Sequence, residues 1–328
     1  MAKRKLTKQQ TTRIRQQQDK LRRQSKNEPS AADTQAGLLI SHYGKTSLVE
    51  TMQQDIITCI NRPNLPPLVC GDHVIWQPGE KQNEGIIVAV NERKSELARP
   101  DNQGRKRIIA ANIDQILVIT AAKPELNEGL LDRYLVAAEL TGITPVIIFN
   151  KTDLLSETEF TGYLQRLEEY QDIGYQVIFA SCKRQHGLDE LHHCLHGKTS
   201  IFVGQSGVGK SSLVNNLLPE ANADTAEVSE ATGKGQHTTT TARLYHLPGD
   251  EGELIDSPGI REFGLWQIDK AQLTNGFREF TGYAEQCKFR NCLHLNEPGC
   301  AIQQAVKEHK ISGKRLDSYH RILASLGD

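Results

Sequence analysis

The order of two short motifs restricts the folds that this chain can adopt. Residues 150–153 read N-K-T-D, the N-K-x-D form that recognises guanine, and residues 204–211 read G-Q-S-G-V-G-K-S, the form of a phosphate-binding loop. In an ordinary GTPase the phosphate-binding loop comes first. Circular permutation of a nucleotide-binding domain is the simplest explanation of the rotated order.

Three further elements keep the usual cyclic order. The run His237-Thr238-Thr239-Thr240 follows the loop, where a switch threonine for the metal ion is expected, and Asp256 to Gly259 has the D-x-x-G form of the metal and γ-phosphate sensor. Upstream of the loop, Ser181-Cys182-Lys183 has the shape of the S-A-x element behind the guanine base, although Cys182 replaces the usual alanine. Only the cut point of the domain has moved.

Each motif predicts a contact with the nucleotide. Lys210 is expected to reach the β- and γ-phosphates, while Ser211 and Asp256 are expected to hold Mg²⁺. Asp153 can accept hydrogen bonds from guanine N1–H and N2–H₂, a pairing that adenine cannot offer, so GTP is favoured over ATP. The predicted nucleotide-binding residues are Asn150, Lys151, Thr152, Asp153, Ser181, Gly204, Gln205, Ser206, Gly207, Val208, Gly209, Lys210, Ser211, Ser212, Thr238, Thr239, Thr240, Asp256 and Gly259.

Residues 113–268 are predicted to form this nucleotide domain. Apolar strands at 113–120, 145–149 and 201–203 alternate with helical spacing at 130–140 and 212–218. Buried strands that alternate with helices indicate a parallel sheet covered on both faces.

Residues 37–112 show a different pattern of short strands with period two. Strands are predicted at 38–44, 55–60, 72–76, 84–90 and 107–110, which suggests a five-stranded OB-type barrel. Aromatic residues are few there, but Arg93, Lys94, Arg99, Arg105, Lys106 and Arg107 cluster in sequence. The cluster favours phosphate contact over base reading, with a solvated charged loop as the alternative.

Charge is distributed unevenly along the chain. The formal net charge is −1, yet residues 1–28 contain ten Lys or Arg and two acidic residues, a local charge of +8 that leaves −9 for the rest. We expect residues 1–36 to be a disordered basic tail that meets a polyanion, or else a merely solubilising extension. Without a secretory signal or an apolar run near the ~20 residues that span a bilayer, a cytoplasmic location is predicted.

A metal site is predicted near the C-terminus. Cys287, Cys292, His294 and Cys300 form a C-x4-C-x-H-x5-C run, and three thiolates with one imidazole make a closed tetrahedral site of the structural zinc type. Chance clustering of surface residues is the alternative. One structural zinc would allow a small helical domain of residues 269–328 to fold despite a thin core. The scattered Cys59, Cys70, Cys182 and Cys194 are expected in the core.

Taken together, these motifs resemble the ribosome small-subunit-dependent GTPase A family of circularly permuted GTPases. The resemblance rests on residues 150–153, 204–212, 235–240, 256–263 and the zinc run, and it extends over nearly the whole chain. It implies an OB barrel, a permuted GTPase domain and a zinc domain in succession. It also implies a late-acting assembly factor that binds the small ribosomal subunit and its rRNA and hydrolyses GTP when the subunit stimulates it. We expect a monomer that binds neither DNA nor membrane.

One catalytic role is predicted from the residues themselves. Familiar GTPases carry a glutamine after the D-x-x-G glycine to orient the attacking water, but this chain has Ile260 there. His237, in the glycine-rich switch segment, is the candidate for that task. A loop histidine without a catalytic part, or a group supplied by the ribosome, remains the alternative.

Two other classes of protein account for some of the motifs. A P-loop kinase or ATPase explains residues 204–211 but not the guanine-reading tetrapeptide, and competition between guanine and adenine nucleotides separates the two. An RNA-binding scaffold with a degenerate nucleotide site explains the tail, the barrel and the zinc run. Absence of GTP turnover, with or without ribosomal subunits, favours the scaffold.

Overall fold

A barrel lies near the N-terminus of the chain. The computed structural model describes residues 34–81, 83–100, 103, 105–219, 242–256, 268 and 270–326, so most of the basic tail lies outside the described residues. The barrel strands are β1 (Gln35–His42), β2 (Thr46–Thr51), β3 (Ile56–Asn61), β4 (His73–Pro78) and β5 (Glu84–Val90). They pair in the order β1-β2-β3-β5-β4, and β1 pairs with β4 to close the ring. This closed five-stranded sheet is an OB-type barrel, as predicted.

One predicted barrel strand was wrong. Residues 107–110 belong to β7 (Lys106–Ala111), which pairs with β6 (Glu96–Pro100) in a separate two-stranded sheet. The fifth barrel strand is instead β2, which the sequence did not reveal. Its apolar alternation is broken at one position, because Ser47 is fully buried and bonds Asn61 while the apolar Leu48 is only half-buried.

The barrel interior is apolar and tightly packed. Leu39, Val49, Cys59 and Ile87 surround Trp76, whose indole Nε1 donates a hydrogen bond to the carbonyl oxygen of Ala36 at 3.3 Å. Gly85 faces this ring, and a Cβ atom there would lie 2.8 Å from Trp76 Cε3. Glycine is therefore required at this point of β5.

The cation cluster predicted for phosphate contact is divided in the structure. Arg93 is largely buried, and its Nε atom lies 2.7 Å from the buried Asp72 carboxylate while Nη1 lies 3.0 Å from Glu96. Lys106 pairs with Glu96 at 3.3 Å. Arg93 therefore stabilises the barrel, and the exposed members of the cluster are Lys94, Arg105, Lys106 and Arg107.

A second unit of the chain holds a parallel sheet. Its strands are β8 (Gln115–Ala121), β9 (Thr144–Asn150), β10 (Gln176–Phe179) and β11 (Lys198–Val203), in the order β10-β9-β8-β11. Its helices are α1 (Glu128–Glu139), α2 (Glu157–Asp172), α3 (Asp189–Leu195) and α4 (Lys210–Leu217). Every residue of β8 is buried, as expected of a strand covered on both faces. The predicted α/β nucleotide domain is present, followed by β12 (Arg243–His246) and β13 (Gly252–Asp256).

The C-terminal segment belongs to the same unit as this parallel sheet. It contains α5 (Lys270–Leu273), α6 (Ala301–Lys307), α7 (Gly313–Ser325) and short 3₁₀ turns at Thr274–Gly276, Arg278–Phe280 and Ala284–Gln286. Phe277, Phe280 and Tyr319 form an apolar cluster that also includes Val136 of α1. The segment therefore completes its core on a helix of the nucleotide domain.

A buried ion cluster joins the same elements. Arg315 of α7 is 2% exposed, and it bonds Asp132 of α1 while its Nε donates to Glu279 at 2.6 Å. Tyr170 of α2 donates its hydroxyl to Asp132 at 2.9 Å. Each buried charge thus has a partner, as burial of charged groups requires. No helix in the described part of the chain is long and apolar enough to cross a membrane.

Candidate functional site

The glycine-rich run forms the loop between β11 and α4. Gly207 and Gly209 have φ angles of 83° and 97°, in the left-handed region that glycine tolerates best. A Cβ atom on Gly204 would lie 2.3 Å from the carbonyl oxygen of Ile119. The loop therefore needs these glycines. It leads directly into the N-terminus of an eight-residue helix, and the backbone N–H groups at a helix N-terminus attract an anion.

Polar side chains of the loop suit a phosphate chain. The Lys210 ammonium donates to the carbonyl oxygens of Gly204 and Gln205, both at 2.6 Å, so it lies over the loop. Ser211 and Ser212 are exposed in the first turn of α4. In phosphate-binding loops, a lysine over the loop holds the phosphates, and a serine or threonine hydroxyl at the start of the helix holds the magnesium ion.

The guanine-reading tetrapeptide contacts the phosphate-binding loop directly. Asn150 ends β9, and its Nδ2 donates to the carbonyl oxygen of Val208 at 3.0 Å. The Lys151 ammonium donates to the carbonyl oxygens of Gly207 at 2.5 Å and Lys123 at 2.8 Å. A Cβ atom on Gly209 would lie 2.4 Å from Asn150 Nδ2, so the approach is close. The fold brings together the two motifs that the sequence separates.

Asp153 is held by the predicted base-backing element. The Ser181 hydroxyl donates to Asp153 Oδ1 at 2.6 Å, and the same hydroxyl oxygen accepts the backbone N–H of Lys183 at 3.1 Å. Arg184 donates from Nη2 to the carbonyl oxygen of Thr152 at 2.8 Å. Sequence reasoning missed Arg184 and Lys123, because neither belongs to a recognised motif.

Cys182 differs from the prediction of a core residue, since it is only half-buried. Burial, and then the neighbouring Asp153 carboxylate, raise the pKa of its thiol. The side chain is therefore a neutral thiol beside the guanine-reading residues. Cys59, Cys70 and Cys194 are buried, as predicted.

Several predicted site residues lie outside the described residues. They are His237, Thr238, Thr239, Thr240 and Gly259. Asp256 is described, and it is the exposed last residue of β13. The described residues therefore cover mainly the predicted guanine-reading and phosphate-binding motifs.

The four predicted metal ligands converge. One ligand atom from each of Cys287, Cys292, His294 and Cys300 lies within 4.8 Å of all the others. His294 Nδ1 is 3.6 Å from Cys287 Sγ and 3.4 Å from Cys300 Sγ. A zinc ion with ordinary bond lengths holds its ligand atoms about 3.5–3.8 Å apart. The cluster is thus close to the geometry of a tetrahedral metal site and can hold a metal ion.

Charge also favours a metal ion in this cluster. Burial, together with the neighbouring thiols, raises the pKa of Cys292 to about 12, and burial raises the pKa of Cys300. Burial lowers the pKa of His294, so its ring is neutral and can bind a metal. Near neutral pH, thiolates at Cys292 and Cys300 therefore require a cation that compensates their charge.

Neighbouring groups fix the loop that carries His294. His320 of α7 donates from Nε2 to the His294 carbonyl oxygen at 2.9 Å, and the Glu297 carboxylate accepts the backbone N–H groups of Leu293 and Leu295, each at 2.8 Å. The Tyr319 ring centroid lies 5.7 Å from that of the imidazole. The ligand loop is therefore tied to α7 and to the aromatic cluster.

Comparison with known proteins identifies a family. The family model described as RsgA GTPase matches residues 90–266. The chain is 47% identical, over 100% of its length and 97% of the relative, to the small ribosomal subunit biogenesis GTPase RsgA of Haemophilus influenzae. It is 48% identical, over 99% of its length and 97% of the relative, to the protein of the same name from Hahella chejuensis.

Two solved structures share the fold. One is described as YloQ, a circularly permuted GTPase, with a TM-score of 0.72 and 30% identity over 89% of this chain and 94% of that one. The other is YjeQ from Thermotoga maritima, with a TM-score of 0.75 and 30% identity over 90% of this chain and 99% of that one. The rotated motif order inferred from the sequence thus agrees with a structurally similar permuted GTPase.

Proposed function

Because this chain belongs to the RsgA GTPase family, we propose that it hydrolyses GTP to GDP and phosphate while assisting late maturation of the small ribosomal subunit. Subunit binding stimulates the hydrolysis. The observation that carries the proposal is the contact of Asn150 and Lys151 with the loop at Val208 and Gly207. That contact supports a single site for guanine and phosphates.

The proposed nucleotide contacts follow the motifs. Asp153, oriented by Ser181, accepts from the guanine edge, and Lys210 with the loop amides holds the phosphates. Ser211, Asp256 and one of Thr238–Thr240 bind Mg²⁺, an assignment that rests on motif position and on the exposed Ser211 hydroxyl at the start of α4. Magnesium would neutralise charge on the phosphates during transfer.

Water activation is proposed for His237. The residue after the D-x-x-G glycine is Ile260, whose side chain cannot hydrogen-bond to water. An imidazole in a switch segment can orient water or accept its proton. A partner that positions His237 would raise a low basal rate.

The metal cluster is proposed to hold one structural zinc. The donor set fits, because three sulfur atoms and one imidazole nitrogen fill a tetrahedron and leave no position for water. Zinc bound there would stabilise the loops between Cys287 and Cys300. The residues themselves fix that segment against α7 and the aromatic cluster.

The proposed partners are the small subunit, its rRNA and GTP or GDP. Residues 1–36 supply a basic tail, 37–112 the barrel, 113–268 the permuted GTPase domain and 269–328 the zinc domain. The tail and the exposed cations near β6 and β7 favour rRNA phosphates. The protein is proposed to act as a cytoplasmic monomer, without DNA or membrane partners.

Turnover measurements test the proposal. GTP hydrolysis is measured with purified small subunits, with large subunits and with neither. Stimulation specific to small subunits is the expected result. Equal rates in all three, or no hydrolysis at all, would contradict the proposed function and favour an RNA-binding scaffold.

A further inference from the structure

Residues 181–187 form a tight loop beside the guanine-reading tetrapeptide. The backbone N–H of Ser181 donates to the Gly187 carbonyl oxygen at 2.9 Å, so the two ends of the loop meet. The backbone N–H of Gly187 donates in turn to the Arg184 carbonyl oxygen at 3.1 Å. A Cβ atom on Gly187 would lie 2.3 Å from the Ser181 carbonyl oxygen, so the packing is close. The loop backbone is therefore fixed, and with it the origin of the Arg184 side chain.

Arg184 joins this loop to the tetrapeptide. Its backbone N–H donates at 3.3 Å to the Ser181 hydroxyl oxygen, and that hydroxyl donates to Asp153 Oδ1 at 2.6 Å. The Arg184 side chain donates from Nη2 to the Thr152 carbonyl oxygen at 2.8 Å. Two neighbouring residues are thus held from one loop, Thr152 by its backbone and Asp153 by its side chain.

The turn that carries Asp153 has a backbone conformation that needs support. Lys151 has φ 62° and ψ 36°, in the left-handed region that residues with side chains rarely adopt. Thr152 follows, and both its backbone N–H and its hydroxyl donate to the Ala180 carbonyl oxygen, each at 3.2 Å. The Thr152 carbonyl group belongs to the planar peptide that leads into Asp153. The Arg184 bond therefore sets the direction in which the Asp153 side chain leaves the backbone.

That direction matters for a carboxylate that must accept two donors from one base. Hydrogen bonds weaken steeply when donor and acceptor are misaligned. Oδ1 of Asp153 already accepts the Ser181 hydroxyl, so only its remaining lone-pair positions are open to the base. Guanine offers N1–H and the N2 amine, whereas hypoxanthine offers N1–H alone. A displaced carboxylate would therefore lose more affinity for guanine than for hypoxanthine.

We propose that Arg184 is a positioning residue for guanine specificity, whose bond to the Thr152 carbonyl oxygen holds Asp153 where its carboxylate meets both N1–H and the N2 amine. This inference rests on the proposed function, because it deepens the guanine-reading role of Asp153. Arg184 acts through the backbone of the turn. Its loss should therefore change selectivity for the base, while Lys210 and the phosphate-binding loop keep their own contacts.

Comparison of GDP with IDP isolates recognition of the base. The two nucleotides share the ribose and phosphates and differ only in the N2 amine, and neither is hydrolysed during calorimetric titration of the full-length chain. Wild type should bind GDP about tenfold or more tightly than IDP, since the amine donates to a charged acceptor. Arg184→Met removes the donor from an exposed side chain, so it is expected to fold. It should lower the GDP-to-IDP affinity ratio by about threefold or more.

Two further variants make the test specific. Arg184→Lys keeps a cationic donor on a side chain of similar length, so its ratio should lie nearer to wild type than that of Arg184→Met. Gln185→Met changes the next exposed residue of the same loop and should keep the ratio within about twofold of wild type.

The affinity ratio also separates this inference from the proposed function. In Arg184→Met, an unchanged ratio, including one that results from equal losses of GDP and IDP affinity, would overturn the positioning role. A ratio in Arg184→Lys or Gln185→Met as low as in Arg184→Met would overturn it as well. If wild type binds GDP and IDP equally, the guanine-reading assignment itself fails, and this inference fails with it.

Discussion

Asp153 accepts a hydrogen bond from Ser181 at 2.6 Å, which orients the carboxylate assigned to guanine recognition. Ser181 is itself fixed, because it is 1% exposed and its backbone N–H donates to the carbonyl oxygen of Gly187 at 2.9 Å. A carboxylate held in this way accepts two donors from one edge of a base. The proposed recognition of guanine therefore depends on the chemical identity of one side chain.

Asp153→Asn should shift nucleotide preference from guanine toward xanthine. The amide can donate to a carbonyl group, whereas the carboxylate accepts from N1–H and N2–H₂. Affinities for GTP and XTP are measured side by side, with Asp172→Asn, an exposed change at the end of α2, as the matched control. Unchanged GTP affinity in Asp153→Asn would contradict the guanine-reading assignment.

His237→Ala should lower subunit-stimulated turnover by about 10²–10⁴-fold, since it removes the group proposed to orient or deprotonate water. GTP affinity should stay nearly intact, because Lys210 and the loop amides are the groups proposed to hold the phosphates. Single-turnover hydrolysis on small subunits and equilibrium GTP binding are the measurements.

Two matched variants accompany His237→Ala. Ile260→Ala should cost far less, because that side chain cannot bond to water, and His193→Ala removes an exposed histidine of α3. Stimulated rates for His237→Ala within about twofold of wild type would exclude the catalytic role. A group supplied by the ribosomal subunit would then be the better explanation.

At the scale of elements, the short turns between α5 and α6 have little regular structure of their own. Four potential metal ligands in this stretch lie within 4.8 Å of one another. Loss of the proposed zinc would therefore affect a whole segment rather than one residue.

Cys292→Ala, or removal of metal by chelation, should unfold residues near the cluster while GTP binding persists, since structural zinc couples to local folding. Zinc content and limited proteolysis are measured on the full chain. Cys182→Ala, which removes a half-buried cysteine outside the cluster, should retain one zinc per chain. A protease pattern in Cys292→Ala that matches wild type would contradict a structural metal.

Zinc affinity should fall as pH falls. The pKa values of Cys292 and Cys300 are raised, so these thiols are protonated in the metal-free chain and lose their protons on binding. The pKa of His294 is lowered, so its ring adds no proton near neutral pH. These two thiols alone predict about 10²-fold weaker binding per pH unit, so the affinity should fall at least that steeply, measurable by competition with a chromophoric chelator. Affinity independent of pH would exclude thiolate ligation.

At the scale of the molecule, the C-terminal segment and the nucleotide domain share structure. Val136 of α1 belongs to the same apolar cluster as Phe277 and Tyr319, and Arg315 bonds Asp132 across 183 residues of sequence. The segment with the metal cluster therefore docks on the helix that follows β8.

Arg315→Met should destabilise this unit by about 3–5 kcal/mol, because Asp132 and Glu279 would stay buried without their cation. The midpoint of urea denaturation measures the change. Arg133→Met, on the same helix α1, removes a hydrogen bond to Ser325 and should cost about 1 kcal/mol. Equal midpoints for the two variants would show that the buried cluster does not stabilise the unit.

The sequence by itself determined those features that depend on residue spacing or composition within a short segment. The rotated motif order, the buried strands of the parallel sheet and the metal-ligand run follow from residues close together in the chain. Local spacing suffices there, because each motif is held by one turn or one strand.

Only the tertiary structure decided which distant residues meet. β2, and not the predicted strand at 107–110, belongs to the barrel, and its buried Ser47 bonds Asn61, a pairing that no alternation of residue types reveals. Arg93, predicted among the cations for phosphate contact, pairs with the buried Asp72, and Arg184 and Lys123 contact the predicted guanine-reading tetrapeptide. Such contacts form where separate elements pack together. Each polar group takes the partner that its buried position offers, and its neighbours along the chain do not indicate that partner.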